Sequence, residues 1–567
     1  MKKLLALLTA LALTAALALP AAAVGADYTD IPQESTLRGE IEKAVGYGLM
    51  NGYDAARFGY ADSMTRAQFT AVLVRMMGWY TETPAAPTYA DVPAAHTWYA
   101  ALETAAAHGV SDFTWTDAGK HFRPDAPITR GEMAKLLVQA LGLETAALSL
   151  NSSSAIPFSD LNHHLPFTDI PFGNEGYISV AYTIGMTKGT SATTFSPNLT
   201  ATRVQAAAML VRVYEKLRHE TDFVHGFYAI SSYSQLALTD SMDAVSAGWS
   251  RMTWNGTEAL LSTTAANGNE YAVPSGYAEV TDYLDARQIP LHLSVFMDAS
   301  DGVGKLLSSK NGRAQAVSQI VNELTVTYET VGKNPYSGVT IDFEGLNSTS
   351  RADFNAFISA LSAQVHSLGK KLYICVQPVP STSSVYTNSY DYATLGTLSD
   401  KLIVMAHDYD PRTLESFAGG AGDLGDYYEN CPTVPLSSVY RGLRDVVELV
   451  DPGKVVLAIS SRNVAWQIDG EGKLVSGTPV SVSPEAVSRR LAQPDTETGW
   501  SEAYQQSYAI YTTEDASRYF LWYQNDDSVR MEVATARLLG VDGVSFWRLG
   551  TLPSFSGWNW LEVLKAA

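Results

Sequence analysis

Cysteine is almost absent: Cys375 and Cys431 are the only two in 567 residues. That number excludes a disulfide framework and a cysteine-based zinc cluster; one bridge is the most the chain could form. Positive charge is scarce as well. Lysine and arginine number 39 against 59 acidic residues, and the formal net charge is −20. Nucleic-acid binding needs a basic footprint, so this balance argues against it. Long apolar runs are confined to the first 26 residues. What the chain does have is core material, at 46% hydrophobic and 10% aromatic residues, which excludes wholesale disorder. Its length suggests about four folding units at ~150 residues each.

Residues 1–26 read as an export signal. Lys2 and Lys3 supply the positive start, Leu4 to Leu19 the apolar core, and Ala21-Ala22-Ala23 or Val24-Gly25-Ala26 the small-residue cleavage site. A membrane anchor needs about 20 apolar residues, and Pro20 breaks this run. The expectation is an exported protein with no membrane span after signal cleavage.

Three repeats follow, over 27–80, 88–145 and 166–219. Each opens on one aromatic-x-Asp-aliphatic word: Tyr28-Thr29-Asp30-Ile31, Tyr89-Ala90-Asp91-Val92 and Phe167-Thr168-Asp169-Ile170. A helical pattern then runs to Gly48, Gly109 or Gly185, and a loop carries Phe58, Phe122 or Phe195. The second helix of each repeat starts at Thr65, Thr129 or Thr202. A Gln or Glu three residues on predicts a capping box. Residues 81–87 and 146–166 read as linkers. His163-His164 in the second lacks a third spaced ligand, so no metal is expected.

These words resemble the S-layer homology (SLH) repeat. The resemblance implies an all-α, pseudo-threefold bundle that docks on an anionic secondary cell-wall polymer. It carries polymer binding to Asp30 and Arg66, to Asp91, Trp98 and Arg130, and to Asp169 and Arg203. Each Arg begins a helix, where a cation does not help the macrodipole but suits a ligand anion. Pairing with an Asp of a neighbouring repeat is the alternative. Repeats 1 and 3 lack the Trp of repeat 2.

From residue 223 the rhythm changes. Val224–Ile230, Ala244–Trp249, Pro290–Phe296, Gly338–Phe343, Leu372–Val376, Leu402–Ala406, Val455–Ile459 and Gly543–Trp547 are continuous apolar runs. Helical patterns such as 314–330 and 351–368 separate several of them. Continuous runs suit parallel strands buried on both faces, and eight such units over 223–567 predict an α/β fold, the (β/α)8 TIM barrel. Chemistry in that fold sits where strands end, which singles out polar residues closing each run. The fourth run continues Thr340-Ile341-Asp342-Phe343-Glu344. Residues two apart share a strand face, so Thr340, Asp342 and Glu344 are expected at the barrel mouth. Two close carboxylates raise one pKa, which a general acid near neutral pH requires. Ordinary strand-end carboxylates, solvated or paired with Arg, are the alternative.

The word Ser337-Gly338-Val339-Thr340-Ile341-Asp342-Phe343-Glu344 resembles the end of the glycoside hydrolase family 18 signature. The resemblance implies Glu344 as proton donor and Asp342 as the residue that orients a substrate 2-acetamido group. That group's oxygen would be the nucleophile, so cleavage would be substrate-assisted and retaining. Ser337 and Thr340 replace two Asp of the pattern. The Thr340 hydroxyl could still bond Asp342. Met405-Ala406-His407-Asp408 resembles the family's Met-x-Tyr-Asp strand end, with His407 in place of Tyr. Trp547 matches the Trp under the sugar in the cleavage subsite. Tyr228, Gln377, Trp249 and Trp466 are further groove candidates. Tyr390-Asp391-Tyr392 and Trp522-Tyr523 look most like the cell-wall and spore-cortex N-acetylglucosaminidases. Ser294-Val295-Phe296-Met297 replaces the chitinase Ser-x-Gly-Gly word, which weakens chitin as substrate. The expectation is a wall-anchored glycosidase at the bacterial surface, without cofactor, acting on peptidoglycan ahead of chitin or N-glycans. The alternatives are a non-catalytic carbohydrate-binding protein and a surface-layer protein with a degenerate barrel.

Overall fold

Thr65, Thr129 and Thr202 each begin a helix, and each accepts from the backbone N–H three residues on while that Gln or Glu reaches back. This computed structural model describes residues 28–116, 119–151, 165–264, 272–378, 389–415, 431–555 and 558–565. The export signal expected over 1–26 and the His163-His164 pair lie outside them. The chain divides into two units, Met1–Lys216 and Leu217–Ala567.

In the first unit each repeat is a helix pair: Arg38–Gly46 with Arg66–Met77, Tyr99–Ala107 with Arg130–Ala140, and Glu175–Thr183 with Arg203–Leu217. Gly48, Gly109 and Gly185 follow the first helices at φ of 70°, 73° and 75°, the left-handed stop that glycine adopts without a Cβ clash. Three backbone bonds close the repeats into a ring: Ile128 N–H to Met64 O, Ala201 N–H to Ile128 O, and Met64 N–H to Ala201 O. Two features depart from expectation. A two-stranded ribbon, Thr114–Thr116 with Gly119–His121, interrupts repeat 2. The linker predicted over 146–166 begins inside the helix Glu144–Ser149. That helix lies so close to the third repeat that a Cβ on Gly176 would meet the Ala147 carbonyl at 1.7 Å.

The second unit holds all eight predicted strands: β1 Phe223–Tyr228, β2 Ala244–Trp254, β3 Leu291–Met297, β4 Gly338–Phe343, β5 Lys371–Val376, β6 Lys401–Val404, β7 Val455–Ser460 and β8 Gly543–Trp547. They pair in parallel in chain order, and β8 pairs with β1 to close the barrel. Phe227, Ala244, Tyr373, Cys375, Ile403, Val456 and Ala458 form one buried cluster contributed by five of these strands. The helix predicted over 314–330 is Lys310–Glu323. It ends before Thr325-Val326-Thr327, whose β-branched side chains disfavour continuation. Cys375 and Cys431 are buried free thiols.

Sequence reading missed one layer. Between β7 and β8 lies a five-stranded antiparallel sheet, ordered 480–482, 463–468, 518–523, 506–512, 497–501. Trp466 and Trp522 fill its core with Phe520, Val464 and Cys431. Ala465, Ala509, Leu521 and Tyr523 form a second cluster on its other face, so its central strands are buried on both sides; they pair antiparallel, and a search for parallel βα units passed over them.

One buried acid nearby supports a stability prediction. Glu532, on the helix Asp526–Leu538, accepts from Gln524, and its second carboxyl oxygen has no hydrogen-bond partner among the described residues. Burial pushes it up to about 8. The folded chain therefore holds this proton more tightly than the unfolded one. Its contribution is complete below the unfolded value of 4.5 and is lost as pH rises through about 8. Glu532→Gln is expected to match the native chain in acid and to exceed it at pH 8 by on the order of a few kcal/mol, read from denaturant melts at both pH values.

Candidate active site

Strand β4 delivers the central pair. Asp342 is 5% exposed. Burial raises its carboxyl well above the usual range, and the charge of Glu344 adds to this. Its Oδ1 has no hydrogen-bond partner among the described residues. Glu344 follows the strand, half-buried, with its N–H on Met297 O at 2.8 Å. Burial raises it too; Asp298 and Asp408 push the same way, while His407 and Arg412 oppose them. Gln377, just past β5, sets its Nε2 3.4 Å from the Glu344 carboxylate. Tyr392 holds the Gln377 carbonyl, and Tyr390 holds the Phe343 carbonyl, both at 2.8 Å. The two tyrosines thus brace the backbone on either side of the acid.

Strand β6 brings Met405, His407 and Asp408 to the same end. His407 Nδ1 lies 3.4 Å from Asp408. Asp408 has φ of 55°, unusual for a non-glycine residue and a mark of stored strain. Burial would raise its carboxyl, but His407, Arg462 and the Ser460 hydroxyl hold it below the ordinary value. Next to it Asp410 pairs with Arg462 at 2.9 Å, and burial still pushes it up to about 6. At the end of β8, Trp547 is 37% exposed and meets the Phe227 ring edge-on at 5.2 Å. A flat, partly open indole at the end of a barrel strand suits a sugar ring.

Other expected residues lie elsewhere. Thr340 is fully buried one layer below the mouth, because it stands two residues deeper on β4. Its hydroxyl bonds Ser246 at 2.6 Å and His292 at 3.5 Å; no bond to Asp342 forms. His225 continues this chain to Ser246 and Ser545 at 2.8 and 2.7 Å. Burial pushes both His225 and His292 down to about 3, so this floor is neutral. Tyr228, Trp249 and Trp466 are each 0–1% exposed and belong to cores. Sequence reading missed Asp298, Asp410 and Arg462. Searching a few residues past each run would have found them: Asp298 follows β3, and Arg462 lies two residues after β7.

In the repeats, Asp30, Asp91 and Asp169 each accept backbone N–H groups from their own phenylalanine loop. Arg66, Arg130 and Arg203 are buried between repeats. Each guanidinium lies over the next repeat's phenylalanine and donates to its carbonyl: Phe122, Phe195 and Phe58. Trp98 is half-buried against the second repeat's core.

A closed parallel barrel with an acid pair at the end of its fourth strand and a partly open indole at the end of its eighth defines a glycoside hydrolase. Residues 221–551 match the model of glycosyl hydrolases family 18, and the chain belongs to that family. Residues 27–70 and 88–134 match the S-layer homology domain. Among curated proteins, the chain is 22% identical over 250 residues to YdhD of Bacillus subtilis (strain 168), named as a sporulation-specific glycosylase, covering 43% of this chain and 56% of that one. It is 22% identical to the cortical fragment-lytic enzyme of the same organism, covering 46% and 56%. An S-layer protein of Bacillus thuringiensis subsp. finitimus is 28% identical over 235 residues, covering 41% of this chain and 26% of that protein. The chain thus spans about half the length of the glycosylases it matches. Among the described residues, no helix is long and apolar enough to cross a membrane.

Proposed function

We propose that this is an exported glycosidase, anchored to the bacterial wall by its three repeats (27–80, 88–145 and 166–219), that cleaves β-linkages beside N-acetylglucosamine by a substrate-assisted, retaining route. The Asp342–Glu344 pair carries this reading. A half-buried Glu344 with a raised pKa keeps a proton for the leaving oxygen. Asp342 holds the acetamido group as its oxygen attacks the anomeric carbon, then faces the positive charge that develops there. His407 and Asp408 border the same subsite with Met405 and Gln377, and Trp547 supports the ring. The residues in hand call for no cofactor. Peptidoglycan is the substrate of choice, because S-layer homology segments belong at the cell surface and a cortical fragment-lytic enzyme is among the relatives.

Incubation with purified peptidoglycan, chitin oligomers and an N-glycoprotein, followed by product analysis, tests the proposal. New reducing ends at N-acetylglucosamine from peptidoglycan are expected. Binding without products on all three would favour the carbohydrate-binding reading, for which the diverted Thr340 and the substituted His407 speak. A chain beginning at Leu217 is expected to keep the hydrolytic rate and lose sedimentation with intact walls; continued wall binding would contradict the division of labour.

A further inference from the structure

Trp547 stands at the last rung of the barrel. Its Cα partner on β7 is Ser460, and one further bond continues the ladder, from the Ser461 N–H to the Trp547 carbonyl at 2.9 Å. The Ser461 hydroxyl reaches the same place. It lies 3.4 Å from the Trp547 carbonyl and 2.7 Å from the hydroxyl of Thr551, which donates to Arg548 O at 3.1 Å. Ser461 thus grips both the tryptophan and the loop that follows it.

Ser461 is also where the chain leaves β7 for the inserted sheet. Two residues on, Asn463 opens the strand 463–468 and is 1% exposed. Its amide donates to Ser461 O at 3.2 Å and to Val482 O at 3.1 Å, and its carbonyl oxygen accepts the Gln524 N–H at 2.9 Å. Gln524 is fixed in turn by Glu532, to which its side-chain amide donates. A buried amide is costly unless its hydrogen bonds are made. Here two of the three reach segments 19 and 61 residues away in sequence. An apolar side chain could fill the space, but it could not fix the angle at which the strand leaves Ser461. Arg462, between the two, turns to Asp410 at 2.9 Å.

Resting on the reading of Trp547 as the support of the sugar ring, we infer that Ser461 and Asn463 are positioning residues, through which the inserted sheet sets the height and tilt of the indole at the end of β8. Both are buried, at 7% and 1% exposure, so they act through the indole and not on the sugar. Support of the ring serves ground state and transition state alike, so the effect falls on KM and leaves kcat nearly unchanged.

The test is a double-mutant cycle on the full chain, with KM and kcat measured on chitin oligomers and on peptidoglycan and a melting curve for each variant. Trp547→Ala is expected to raise KM about tenfold, the scale of one aromatic contact. Asn463→Ala should raise it about fivefold and Ser461→Ala about threefold, each with kcat within about twofold of native. In the Trp547→Ala background both substitutions should change KM by less than about twofold, because the group they position is gone. A merely structural role would lower activity alike in the two backgrounds. Equal effects with and without Trp547, or a native KM in both Ser461→Ala and Asn463→Ala, overturn the inference and leave the role of Trp547 standing. Ser461→Ala removes one hydroxyl and keeps the bonds of the sheet, so it decides the outcome if Asn463→Ala does not fold. A native KM in Trp547→Ala overturns the ring-support reading and this inference together, as does a native chain that cleaves neither substrate.

Discussion

Replacing Glu344 with Gln is expected to lower kcat by roughly 10²–10⁴-fold, the range for loss of a positioned general acid. KM should stay within a few-fold. The amide keeps the size of the side chain and its approach to Gln377, which lies 3.4 Å away. It cannot supply the proton that lets the leaving oxygen depart. The pH profile should agree. Because burial raises Glu344 from its ordinary 4.5, the protonated acid persists to higher pH than for a solvated glutamate. In the native enzyme kcat/KM should therefore hold at mildly acidic pH and fall as pH climbs past the folded value. In Glu344→Gln that alkaline limb should vanish along with the rate. Unchanged turnover on peptidoglycan and chitin oligomers would remove Glu344 from the mechanism.

The barrel was legible because a parallel strand buried on both faces must be continuously apolar. All eight strands fall on the eight runs, and Gly338–Phe343 and Gly543–Trp547 agree at both ends. The acid pair was legible because strand periodicity places Asp342 and Glu344 on one face. Periodicity does not state depth. Thr340 shares that face yet sits in the layer below, bonded to Ser246 and His292, partners from strands 94 and 48 residues away in sequence. The inserted sheet stayed hidden for a different reason: its strands are buried on both faces, around Trp466 and Trp522 on one and Ala465 and Leu521 on the other, but they pair antiparallel and stand outside the repeating parallel units of the barrel. The repeats were visible as words. The exchange of Arg66, Arg130 and Arg203 across repeats follows only from ring closure, which no single repeat encodes.

Asp342→Asn is expected to reduce turnover severely and to stabilise the fold at the same time. The carboxyl is buried, its Oδ1 lacks a partner among the described residues, and the layer beneath it is neutral, built from His225, His292, Ser246, Thr340 and Ser545. A hydrogen bond from the Cys375 thiol favours its charge, but burial and then Glu344 outweigh it, so its folded pKa is raised well above 3.8. The sign follows directly. A carboxyl raised on folding contributes stability that is complete below its unfolded value and is lost as pH rises through its folded value. At neutral pH, above the unfolded value, the native chain has lost at least part of this contribution. The neutral amide is not subject to that loss. Asp342→Asn should therefore melt later than the native chain at pH 7 and close to it in acid, while Asp342→Ala, which opens a cavity, should gain less. Equal melting temperatures at pH 7 would mean that the pair is better solvated than its burial implies. Under the proposed mechanism the same burial has a use in turnover: an aspartate whose Oδ1 has no partner among the described residues would be free to hold the acetamido nitrogen and then the charge that forms beside it. Stability given up at Asp342 is thus recovered when substrate binds, and the variant that no longer gives it up should bind the oligosaccharide and leave it whole.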